Sequence, residues 1–293
     1  MLLRMHLWKG SNMAIRIITD STADYSREEL IQKDIISVPL SVSFGEEHYQ
    51  DGINITAEEF YKKLKESSTI PQTSQPSPAA FLEHFTKAKE CGDTVVAILI
   101  SGELSGTLQS AQIAKDMCDY DGIYIIDSKL VTAGLKLLVD KAVHMRAAGA
   151  DGQEIKAFIE GLKHRVHIRA VVDTLEYLYK GGRLTRLQAG LGTMTGVKPI
   201  LTTDEEGRVA VCGKVRGRAK ACQSIISELK ECGRDEDYPL YFLYSGKKNN
   251  YLDLVARMAL EGMAIEESTL TSIGPAIGAH SGSGAFGVVY AGK

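Results

Sequence analysis

Short apolar runs alternate with amphipathic stretches through the first half of the chain, and the alternation predicts strand after helix after strand. Ile15–Thr19 reads as a first strand, with Asp20-Ser21-Thr22-Ala23-Asp24 as a polar turn at its carboxyl end. Ser26 with Glu29, and Thr56 with Glu59, have the capping-box spacing in which a hydroxyl and a carboxylate satisfy each other's backbone donors, so a helix is expected to begin at each. Ile35–Val42 is expected to be a second strand, interrupted by Pro39. Prolines at 71, 76 and 78 forbid a helix over Ile70–Ser77. Ser77 and Pro78 then read as the N-cap and first residue of a helix running to about Cys91.

The most informative stretch is Thr94–Ala114. Val95–Ile100 is a continuous apolar run, as expected of a parallel strand covered on both faces. Ser101–Thr107 (SGELSGT) is a glycine-bearing turn, and Leu108–Ala114 is helix-forming. Ligands of open α/β sheets bind outside the carboxyl ends of the strands, and the first turn of a helix carries unpaired N–H groups. Ser101, Ser105 and Thr107 therefore crowd a corner suited to an anionic oxygen; the competing reading is that Ser105 merely caps the helix. Ile123–Asp127 adds a strand, and Val131–Ala148 and Glu154–Arg165 have helical spacing, with Gly149 as a C-cap and Asp151 as an N-cap. This is the pattern of a parallel α/β sheet.

Beyond it the pattern changes. Strands are expected at Ile168–Val172, Lys198–Thr202, Val209–Val215, Leu240–Tyr244, Ile265–Leu270 and Val288–Ala291, with Asp204–Gly207 as a hairpin turn. Helices are expected at Leu175–Tyr179, stopping at Gly181-Gly182, and at Arg218–Glu231 and Asn250–Glu261. Five glycines and a proline between Ile273 and Ala291 bracket His280 and argue against a stable helix there. The division is an α/β domain over residues 14–167 and a smaller α+β domain over 168–293, following an upstream extension or expression remnant over 1–13, with Met13 as the natural start.

Composition narrows the function. The chain has 293 residues, 44% hydrophobic and 24% charged, with a net charge of −3, so nothing points to nucleic acid or to a membrane surface. No apolar run approaches the ~20 residues of a membrane span. Five cysteines without a C-x-x-C pair argue for a reducing compartment and against a disulfide framework or zinc site. The histidines show no H-E-x-x-H or i,i+4 pairing, which argues against a catalytic metal. Gly282–Gly287 spells G-x-G-x-x-G but lacks the following helix of a dinucleotide site. Ser105 stands one place late for a nucleophile elbow, though a hydrolase of small acyl esters built from Ser105, His280 and Asp20 is a second function class, since triads are geometric. Lys180, Arg183, Arg186, Lys214, Arg216 and Arg218 form a basic concentration, either a solvated rim or a dock for an acidic or phosphate partner.

Taken jointly, Thr73–Ser77 (TSQPS), Ser105–Ala111 (SGTLQSA), Leu175–Arg183 (LEYLYKGGR), Lys198–Leu201 (KPIL) and Gly274–His280 (GPAIGAH) resemble the DegV family, and Asp20–Asp24 fits it too. The resemblance runs from Ile15 to the end of the chain. It implies a bacterial, cytoplasmic, non-catalytic lipid carrier without metal or cofactor, which holds a long-chain fatty acid between two domains. It further implies presentation of the carboxylate to a separate fatty acid kinase, whose acyl phosphate feeds phospholipid synthesis. On the matching positions, Thr73 and Ser105 would hydrogen-bond the carboxylate and His280 would complete the network; Arg183, Arg216 and Arg218 would face the kinase. Where the family reads His-x-Gly-Pro-Gly, this chain has His280-Ser281-Gly282-Ser283-Gly284, which is expected to loosen the loop that positions His280.

Overall fold

The computed structural model describes residues 14–185, 196–246, 249–263 and 269–293. The upstream extension, Arg186 and most of the strand expected at Ile265–Leu270 lie outside the described residues. In chain order the described elements are β1 (Ile15–Asp20), α1 (Arg27–Lys33), β2 (Ile35–Val38), β3 (Ser41–Phe44), β4 (Glu47–Gln50), α2 (Ala57–Glu66), β5 (Gln72–Ser74), α3 (Pro78–Cys91), β6 (Thr94–Leu99), α4 (Thr107–Cys118), β7 (Ile123–Asp127), α5 (Ala133–Ala147) and α6 (Gly152–Leu162). They continue with β8 (Val166–Val171), α7 (Glu176–Lys180), β9 (Val197–Thr203), β10 (Val209–Arg216), α8 (Arg218–Cys232), β11 (Tyr241–Tyr244), α9 (Asn249–Leu260), β12 (Leu270–Ser272), α10 (Pro275–Ser281) and β13 (Phe286–Ala291).

The first sheet is parallel, in the order β2-β1-β6-β7. Its central strand β6 is wholly buried from Val95 to Leu99, as its unbroken apolar run requires. The second sheet is mixed, in the order β10-β9-β8-β13-β11-β12, with only β11 and β12 parallel. Both capping boxes expected in the first half are made, at Ser26/Glu29 and Thr56/Glu59, and Asp151/Glu154 adds a third. Helix α5 lies between the sheets, and every residue from Ala133 to Val139 is buried. A run buried on every side belongs in such a place, and its one charged residue, Lys136, is paired with Glu29.

Two expectations need correction. Ile35–Val42 is not one strand. Pro39 ends β2, and the chain restarts as β3 in a separate three-stranded antiparallel sheet of order β4-β3-β5. No pattern in the sequence points to that small sheet, because β4 and β5 each expose half or more of their residues and lack an apolar run. The glycine-rich segment at 275–281 is a helix, despite its poor propensity. Pro275 starts it, and tertiary packing outweighs the cost of Gly278: a Cβ there would lie 2.6 Å from the ring of Phe60 and 2.7 Å from Tyr61 Oη. Only glycine lets α10 press this closely onto α2.

Candidate functional site

The carboxyl end of β6 is tied to that of β1 through one buried carboxylate. Asp20 accepts the Thr22 N–H at 3.0 Å and the Thr22 hydroxyl with one oxygen, and the Ile100 N–H at 2.8 Å with the other. The turn that follows is folded on itself, with the Ser105 N–H donating to the Ser101 carbonyl. Helix α4 begins at Thr107 with Gly106 in the N-cap position, so Ser105 is not its cap. The Ser105 hydroxyl shares a 2.8 Å hydrogen bond with the Thr107 hydroxyl and accepts the Thr107 N–H at 3.3 Å.

Thr73 lies in β5, opposite Val42 of β3. His280 lies in the last turn of α10, and its Nε2 is 2.8 Å from Thr73 Oγ1. The helix, rather than the turn after Gly282, therefore holds the ring. His280 Nδ1 is buried and makes no hydrogen bond among the described residues. It faces Gly181, where a Cβ would lie 2.1 Å from it. Burial, with a smaller contribution from Arg183, pushes the His280 pKa down to about 4, so the imidazole is neutral near pH 7. Arg183 is half-buried; its Nε donates to the Leu104 carbonyl and its Nη1 to that of Gly181. It makes no ion pair among the described residues, and burial lowers its pKa.

Thr73, Ser105, Arg183 and His280 all line one cavity. It holds about 870 Å³ of space free of protein atoms, part of it open to solvent. The rest of the wall is mainly apolar and comes from both main sheets and their loops, including Ile100, Leu104, Ile168, Leu201, Leu243 and Ile273. Two hydroxyls, a neutral imidazole and a guanidinium beside an apolar chamber can hold an anionic oxygen while the rest of a ligand lies among hydrocarbon side chains.

Of the other residues singled out, Arg216 is exposed on β10, and Arg218 sits 3.6 Å from Asp253 with its guanidinium 4.2 Å from the Phe286 ring centre. Neither lines the cavity. The geometry runs against the hydrolase arrangement. Asp20 is committed to Thr22 and Ile100, His280 bonds Thr73 rather than a carboxylate, and Ser105 bonds Thr107. The sequence neighbours of Gly181 mark only a helix stop and carry no sign that it meets His280. Gln75 ties the TSQPS segment to α4, its amide donating to Ser110 Oγ at 3.3 Å, a link that no spacing in the sequence indicates.

The DegV family model matches residues 14–293. A DegV domain-containing protein of Caldanaerobacter subterraneus subsp. tengcongensis is 38% identical over 94% of this chain and 98% of its own. Among solved structures, a fatty-acid-binding DegV family protein from Thermus thermophilus is 33% identical with a TM-score of 0.86, covering 96% of this chain and 100% of that one. A stearic-acid-binding protein from Eubacterium ventriosum is 30% identical with a TM-score of 0.84, covering 95% and 98%.

Proposed function

The chain belongs to the DegV family, and we propose that it binds a long-chain fatty acid in the cavity between its two main sheets, with the carboxylate at Thr73, Ser105 and His280. The observation that carries this reading is the Thr73–His280 hydrogen bond in the wall of a chamber that is otherwise mainly apolar and also contains Ser105. A buried carboxylate without partners costs several kcal/mol, and this wall supplies donors for it. With a neutral imidazole donating its single N–H through Nε2, Thr73 Oγ1 accepts from His280 and keeps its own hydrogen for the ligand, so His280 serves the carboxylate through Thr73 rather than by a hydrogen bond of its own. Arg183 adds a positive charge whose counter-ion would be the carboxylate. The acyl chain would gain about 0.8 kcal/mol for each buried CH₂. Relatives described as fatty-acid-binding support the same ligand class.

In this reading the protein is a carrier rather than a catalyst, built as two domains over 14–167 and 168–293 that meet at the ligand. It acts in the cytoplasm and hands the carboxylate to a fatty acid kinase. Arg216 and Arg218 lie outside the cavity and are the residues we assign to that partner, while the half-buried Arg183 serves the ligand first.

Mass spectrometry of the purified protein, native and then after organic extraction, tests the reading. The expected result is a bound species of fatty-acid mass released as free acid. A protein that is empty and takes up no added fatty acid overturns it.

A further inference from the structure

We infer that Asp24 and Asp51 are positioning residues for the head-group site: they grip the amino end of α10 and so set where the His280 ring holds the Thr73 hydroxyl that meets a bound carboxylate. The inference rests on the fatty-acid reading and deepens it.

Helix α10 cannot cap itself, because its N-cap residue is Gly274, which has no side chain, and Pro275 has no N–H. The donors on either side of Pro275 go instead to two remote carboxyl groups. The Gly274 N–H donates to Asp24 Oδ1 at 2.9 Å, and the Ala276 N–H donates to Asp51 Oδ2 at 3.2 Å. Both acids converge on one backbone position: a Cβ on Gly274 would lie 2.8 Å from Asp24 Oδ1 and 3.4 Å from Asp51 Oδ1. Tyr61 adds a third tie, its hydroxyl donating to the Ile273 carbonyl at 3.0 Å.

These grips belong to the same elements that carry the other ligand-facing groups. Asp51 follows β4, in the small sheet whose strand β5 carries Thr73, and its own N–H donates to the Leu40 carbonyl. Asp24 closes the turn after β1, where Asp20 holds the Ile100 N–H at the root of the turn carrying Ser105. One hydrogen-bonded frame therefore spans Thr73, Ser105 and His280. A cap needed only to end the helix could be supplied by a serine at 274. Two buried acids drawn from distant segments fix the helix against those segments as well.

The test uses the full chain and stearic acid labelled with carbon-13 at the carboxyl, read by affinity and by the carboxyl resonance of the bound ligand. Asp24→Ala and Asp51→Ala are expected to weaken binding about tenfold and to shift that resonance, as the loss of a hydrogen bond holding the ring in place. Asp24→Asn and Asp51→Asn keep an acceptor oxygen and are expected to restore the wild-type resonance with affinity within about threefold of wild type. Folded alanine variants with wild-type affinity and resonance overturn the inference. If the alanine variants do not fold, Asp24→Glu and Asp51→Glu decide, since each keeps the acceptor but moves it by one methylene: a shifted resonance with weakened binding supports the inference, and wild-type resonance and affinity overturn it. Failure of the wild-type protein to bind stearic acid would instead strike the fatty-acid reading, before any variant is made.

Discussion

At Gly181 the absence of one methyl group leaves the room that the His280 ring occupies. The backbone there is helical (φ −76°, ψ −5°), so alanine meets no backbone strain. Its Cβ would nevertheless lie 2.1 Å from His280 Nδ1, with the Tyr177 carbonyl 2.9 Å away, so the ring must move. Gly181→Ala is expected to cost about 1–3 kcal/mol of stability, as overpacking does. It is also expected to weaken fatty acid binding about tenfold by breaking the Thr73–His280 alignment. Thermal unfolding and ligand titration measure the two effects separately, and wild-type affinity in a folded variant would show that the ring tolerates displacement. Local signals in the sequence marked Thr73 and Ser105 as hydroxyls beside prolines and glycines at strand ends, and both line the cavity; the role at a carboxylate came from the family resemblance. The meeting of Gly181 with His280 was not, because these residues touch only when α7 and α10 pack together.

Helix α10 shows how an element is set by its surroundings. Its residues read as a loop, since glycine has low helix propensity. Pro275 starts the helix, and the buried Ala276, Gly278 and Ala279 fit against α2 and β3. Gly278→Ala is expected to destabilise the protein by about 1–3 kcal/mol, because the rings of Phe60 and Tyr61 leave no space for a methyl group. Fatty acid occupancy should fall with it, since the helix that carries His280 must lift. Occupancy by native mass spectrometry at a temperature where the variant is folded checks this; full occupancy would mean that α10 and His280 move independently. The parallel strands β1, β6 and β7 and the capping-box helices of the first half follow from the sequence, because period and capping are local. The break at Pro39 placed β3 in another sheet, and no local pattern states which sheet a strand joins.

Across the whole molecule, the two buried acids at α10 link stability to pH. Burial raises the pKa of Asp24 to about 8 and of Asp51 to about 7, from 3.8 for both, and they lie near Tyr61, Lys136 and the buried Asp20. A folded-state pKa above the unfolded value gives stability that is fully present below pH 3.8, is lost progressively above it, and is gone once pH has passed 7 for Asp51 and 8 for Asp24. His280 works in the opposite sense at lower pH: its pKa, lowered from 6.5 to about 4, removes stability as pH falls through that window. Between about pH 6.5 and 8 the acids act without it. The wild-type unfolding free energy is therefore expected to decline there, by at most about 1.4 kcal/mol per pH unit for each carboxyl still protonated in the folded protein, and to level off above pH 8. Asp24→Asn should flatten the decline, and an identical slope in wild type and variant would exclude Asp24 as its source.

The sequence by itself determined the alternation of strands and helices, the parallel first sheet, the family, and the segments that bring Thr73, Ser105 and His280 to the cavity. Each of these is written in nearest-neighbour patterns: apolar period, capping spacing, turn residues and short motifs. Tertiary structure alone decided that α10 is a helix, that the third sheet exists, that Gly181 makes room for His280, and that Asp24 and Asp51 hold it. Those features arise from van der Waals exclusion and hydrogen bonds between segments far apart in the chain, whose approach no local pattern encodes.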